Sequence, residues 1–174
     1  MPENASPVTV DTARRLAAYN ASAFQRYVRA ARRLPWRVAS ADKGTGHLSI
    51  FGTFVHILNV HEVWIHYIVQ GRTRELNQLF QQTYRRPTTW AGFDAYSKQV
   101  WRGIDQYFAA LTPRTVTRRV KAPWMPGTYN VGDAVLQTTF EQAHHLGEII
   151  GIYWQRDEKP PQMMWIPLTR RRTR

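Results

Sequence analysis

Residues 49–70 read Ser-Ile-Phe-Gly-Thr-Phe-Val-His-Ile-Leu-Asn-Val-His-Glu-Val-Trp-Ile-His-Tyr-Ile-Val-Gln. Ile50, Phe54, Ile57, Trp64, Ile65 and Ile68 recur at helical spacing and form one apolar stripe. Gly71 follows where glycine commonly closes a helix. The segment predicts an amphipathic helix that must bury its stripe against other helices.

Partners lie on both sides of it. Upstream, Asp11 is a candidate cap for a helix to about Leu34, with Leu16, Tyr19, Ala23, Tyr27 and Ala30 at helical spacing and Pro35 as its stop. Asp42, Lys43, Gly44, Thr45 and Gly46 read as a loop. Downstream, residues 72–88 are a connector, with a short helix near Glu75 to Gln82 closed by Pro87. A third helix runs from about Trp90 to Leu111, carrying Phe93, Tyr96, Val100, Ile104 and Phe108, and Pro113 ends it. Residues 114–131 contain Pro123, Pro126 and Gly127, so a non-helical stretch is expected. Alternation at Thr115, Val116 and Thr117 and around Val120 suggests a short hairpin there. A fourth helix is expected from about Asp133 to Gln155, with Leu136, Phe140, Ala143, Gly147, Ile150 and Trp154 as its core stripe. The pattern predicts an all-α four-helix bundle, a single domain over residues 1–174 with a long connection between the third and fourth helices. Residues 1–10 and 160–174, the latter with Pro160, Pro161, Pro167 and an arginine run, read as mobile termini.

Composition narrows the function classes. Hydrophobic residues make up 43% of the 174, which suits a packed core. No apolar run approaches the roughly 20 residues that span a bilayer, so no membrane partner is expected. Met1 to Val10 lacks the basic start and apolar run of a secretory signal. The chain has no cysteine, which excludes disulfides, thiolate ligands and a cysteine nucleophile. Together these features predict a cytoplasmic protein. The net charge of +12 admits attraction to nucleic acid or simply an arginine-rich surface. The charge is dispersed over the first helix, a loop and the tail, and no nucleic-acid motif accompanies it, so nucleic acid is not the expected partner.

Six histidines remain: His47, His56, His61, His66, His144 and His145. Bundles build metal sites from inward side chains on facing helices, and two ligands on one helix share a face only three or four residues apart. Glu141 with His145 satisfies this, with Glu148 on the same stripe. Spacing equally allows Glu141 with His144, or His144 with Glu148. On the second helix, periodicity places His61 in the apolar stripe and His56 on a flank with Val60, Val63 and Tyr67. Acid–histidine pairs at this spacing are also common in helices that bind nothing.

The motif Gly52-Thr53-Phe54-Val55-His56-Ile57-Leu58, with Trp64 and Gly71 after it, resembles the second helix of the DinB/YfiT family. Leu16-Ala17-Ala18-Tyr19-Asn20 and Leu34-Pro35 resemble the beginning and end of that family's first helix, and Ala143-His144-His145-Leu146-Gly147-Glu148-Ile149 resembles its fourth. The resemblance spans roughly residues 11 to 160. It implies a four-helix bundle of the DinB/YfiT type holding a divalent metal, zinc first and nickel, iron or manganese as alternatives. It implies a second-helix ligand and two fourth-helix ligands at i and i+4. By position these are His56, Glu141 and His145, with glutamate standing where the family has histidine. Glu141 either ligates or marks a degenerate site.

His61 and His144 are then expected around the ligands. Glu148 is expected either to orient a ligand or to act as a catalytic base. The implied chemistry is a metal-dependent transfer of a low-molecular-weight thiol, or a hydrolysis by activated water, on a small-molecule substrate. The competing reading is a non-catalytic bundle. The resemblance also implies a homodimer.

Overall fold

The computed structural model describes residues 6–44, 46–76 and 87–165. Helix α1 (Val10–Ala31) starts where the Thr9 side chain accepts a hydrogen bond from Thr12 N. Thr9, with extended backbone, is therefore the cap, and Asp11 sits inside the first turn, where its charge favours the helix N-terminus. A single turn, α2 (Trp36–Ala39), follows directly after Pro35. Helix α3 (Ile50–His61) is capped by Ser49, which accepts from Gly52 N. It continues without a break into a π-helical segment, Glu62–Ile68. The π-turn admits one extra residue per turn and re-phases the helix, so His61, Glu62, Val63, Trp64 and Ile65 are all buried in succession.

Residues 73–76 are helical; most of the helix expected near Glu75 to Gln82 lies outside the described residues. Helix α4 (Trp90–Ala109) is capped by Thr89. The stretch expected to be non-helical begins with one helical turn, α5 (Pro113–Val116), where proline occupies the first turn. The hairpin forms around Val120 as expected but not at Thr115 to Thr117: β1 (Arg119–Val120) pairs antiparallel with β2 (Tyr129–Asn130). Helix α6 (Val131–Trp154) opens on a capping box, in which Asn130 accepts from Asp133 N and Asp133 accepts from Asn130 N.

Among the described residues, four long helical segments pack side by side. Helix α6 lies against both α1 and α3, and α4 lies against the same two. Phe24 of α1 meets Phe54 of α3 and Phe93 and Trp101 of α4, which joins three helices through one aromatic cluster. The stripes expected for α3 and α4 are buried.

The stripe expected for α6 is not. Phe140 and Trp154 are 66% and 60% exposed, and the buried face instead carries Val135, Thr138, Thr139, Gln142, His145, Leu146, Ile149 and Ile152. Four polar residues on the inward face and two aromatics on the outward one put the hydrophobic period out of phase with burial. No helix among the described residues is long and apolar enough to cross a membrane.

Candidate metal centre

Three histidines from three separate chain segments converge. His56 projects from α3, His145 from α6, and His47 from the loop between α2 and α3. Ligand nitrogens of the three lie within 4.8 Å of one another. The rings of His47 and His56 are stacked, 3.5 Å between centroids and 14° between planes. His145 meets both edge-on, at 4.8 Å and 4.5 Å.

Local sequence explains how His47 arrives there. The loop folds back over the start of α3, where Ser49 N donates to the His47 carbonyl and Lys43 N to the Leu48 carbonyl. Leu48 has a φ of 65°, a left-handed conformation that costs a branched, bulky residue energy. Gly52, part of the motif quoted above, has no β-carbon to collide with the His47 carbonyl.

The electrostatics favour neutral rings. Burial lowers the His56 pKa to about 3, and the neighbouring His47 and His145 push it further in that direction. Burial also lowers that of His47, with His145 adding to the effect and Glu148 and Glu141 opposing it. Neutral imidazoles present lone pairs, the form a metal requires.

Each expected site residue has a definite place. His145 is buried, and its Nδ1 lies 2.9 Å from Glu148 Oε2. With Nδ1 donating to that carboxylate, Nε2 is left bare. This is the arrangement in which a carboxylate orients a metal-binding histidine. Glu141 Oε2 lies 3.4 Å from that same Nε2, while its Oε1 accepts from Gln137. Glu141 therefore stands beside His145, and His47 completes the histidine group. His144 is 69% exposed, 3.8 Å from Glu148. A cation at His144, His145 and Glu148 is a second geometric option, but it draws on the two side chains that already hydrogen-bond each other. His61 points into the core, where its Nε2 bonds Gln142 rather than a histidine of the group. His66 bonds the Val100 carbonyl.

A cavity of about 580 Å³ opens beside His47 and His56, lined by Trp36, Leu48, Phe51, Val55 and Asn59 among others. None of the described lining residues is charged. A wider groove of about 670 Å³ runs between α1 and α4 on another face and contains none of the histidines.

The donor set fits a divalent cation of the zinc type. It comprises three nitrogen donors on two helices and an anchored loop, with an orienting carboxylate behind one of them and an open cavity in front. The fold and this group define a helical protein with a candidate metal centre between two helices and a loop. The chain belongs to the DinB superfamily, whose family model matches residues 19–149. None of the curated proteins matches it.

Proposed function

We propose that this protein is a metal-dependent enzyme that acts on a small molecule, with His47, His56 and His145 as the protein ligands. The observation that supports this most directly is the convergence of three histidine nitrogens within 4.8 Å beside an open cavity. Three protein ligands leave a coordination position for a reactant, the arrangement of catalytic rather than structural sites. A divalent cation, zinc first, supplies Lewis-acid activation of a thiol or of water.

The chain's own residues supply the rest. Glu148 holds His145 in one tautomer. Glu141, 3.4 Å from His145 Nε2, serves to accept the proton that a thiol or water releases. The cavity wall, with Trp36, Leu48, Phe51 and Val55 beside Ser40, Asn59 and Thr88, offers a substrate both apolar surface and hydrogen-bonding groups. Three neutral donors, without a carboxylate in the set, favour retention of an anionic thiolate, so thiol transfer is the first reaction to assay and ester hydrolysis the second.

The test is elemental analysis of protein purified without a histidine tag, beside His47→Ala, His56→Ala, His145→Ala and Glu141→Ala. The expected result is about one metal per chain, lost in the three histidine variants and largely kept in Glu141→Ala, which instead loses turnover. Metal lost in Glu141→Ala and kept in His47→Ala would replace His47 by Glu141 as the third ligand. No metal after reconstitution would leave a binding role.

A further inference from the structure

The centre of the bundle holds a second polar cluster, built from all four long helices and separate from the histidine group. Asn20 of α1, His61 of α3, Trp101 of α4 and Gln142 of α6 are each more than nine-tenths buried. Their hydrogen bonds can be assigned atom by atom. The Thr139 hydroxyl donates to the Val135 carbonyl, so its oxygen accepts from Asn20 Nδ2 at 3.1 Å. That fixes which way the Asn20 amide points and leaves Oδ1 buried with no partner. Gln142 Nε2 donates to the Asn20 carbonyl, so Gln142 Oε1 is the atom facing His61 Nε2 at 2.9 Å. An amide oxygen only accepts, so His61 Nε2 carries the proton of the neutral ring. The Trp101 ring lies 4.9 Å from that of His61, and its Nε1–H is buried with no partner.

Asn20, His61 and Trp101 line one small cavity with about 10 Å³ of room for the centre of a water-sized sphere. That is the space of one water molecule. A buried unpaired donor and a buried unpaired acceptor are each costly, and native structures rarely leave both. The ligand that satisfies them must accept from the indole and donate to the amide. A metal ion cannot accept a hydrogen bond and a simple anion cannot donate one.

We propose that this cavity, lined also by His61, is a binding site for a single internal water molecule, which accepts from Trp101 Nε1–H and donates to Asn20 Oδ1. Through it the four helices share one hydrogen-bonded node. The node ties α1 and α4 to the α3–α6 pair that carries His56 and His145.

Cross-relaxation between water and the indole protons of the ¹⁵N-labelled full-length chain tests this. The chain has seven tryptophans, and the Trp101 resonance is the one missing from Trp101→Phe. The expected result is a cross-peak of a long-lived water at that indole proton, lost in Asn20→Leu while the indole resonance itself remains. A cross-peak that persists in Asn20→Leu would assign the signal to the nearby Thr138 hydroxyl and overturn the proposal, as would no cross-peak in the wild type. If Asn20→Leu does not fold, wild-type diffraction at atomic resolution decides. Density within hydrogen-bond distance of both Trp101 Nε1 and Asn20 Oδ1 supports the water. A dry cavity, or a direct bond between those two atoms, refutes it.

Discussion

The backbone carbonyl of His47 lies so close to Gly52 that a β-carbon at position 52 would overlap it. One glycine thereby lets a loop histidine fold over the first turn of α3 and stack on His56. The substitution Gly52→Ala should therefore push the loop away and carry the His47 ring with it. Zinc affinity, measured by competition with a chromophoric chelator, is expected to fall about 10- to 100-fold, the scale of a lost supporting contact around a metal. Helix content by circular dichroism should stay unchanged. Unaltered affinity would mean that His47 is not a ligand.

Glu148 accepts from His145 Nδ1 and so fixes the orientation of the other ring nitrogen. Removing that carboxylate in Glu148→Ala should weaken metal binding by about one to two orders of magnitude without abolishing it. His145→Ala should abolish it. Equal metal loss in the two variants would make Glu148 a ligand in its own right.

Buried His61 makes stability depend on pH. Its folded pKa is lowered from 6.5 to about 4 by burial, against the opposing hydrogen bond to Gln142. Between those values the unfolded chain takes up a proton that the folded chain refuses, so stability rises with pH across that window. The full contribution is present above about 6.5 and is lost as pH falls toward 4, to a total of about 3 kcal/mol. Urea denaturation of metal-free protein at several pH values checks this. His61→Gln keeps a donor for Gln142 and does not titrate, so it should flatten the curve; an unchanged slope would assign the effect to other groups. His56, lowered in the same direction, contributes with the same sign.

Two phenylalanines should differ sharply. Phe24 is 1% exposed and touches Phe54, Phe93 and Trp101, so Phe24→Ala should cost about 3–5 kcal/mol of unfolding free energy. Phe140 is 66% exposed, so Phe140→Ala in the monomer should change stability by no more than about 0.5 kcal/mol. Comparable losses would mean that α6 is rotated from the orientation described.

Much of the fold is legible from residue order because its cues are local. Proline after Leu34 and after Thr112, glycine after Gln70, and the apolar periods of α3 and α4 are readable within one helical turn. The α6 period misleads for an equally physical reason. Its inward face carries Thr138, Thr139, Gln142 and His145, paired across the core or in the site, while Phe140 and Trp154 face outward. A hydrophobicity count cannot distinguish a satisfied buried polar residue from an exposed one. The π-turn at Glu62–Ile68 is hidden for a related reason, since it re-phases a helix whose residues are apolar on nearly every side.

The sequence by itself determined the helices, the absence of any cysteine ligand or nucleophile, the family, and the presence of His56 and His145 as candidate ligands. Periodicity and motif spacing are properties of the chain read along its length. Tertiary structure alone brought the His47 ring against theirs and set Glu141 and Glu148 on the two ring nitrogens of His145. A loop residue has no period to reveal its neighbours, and a metal site is a convergence in space, here between segments separated by about a hundred residues of chain.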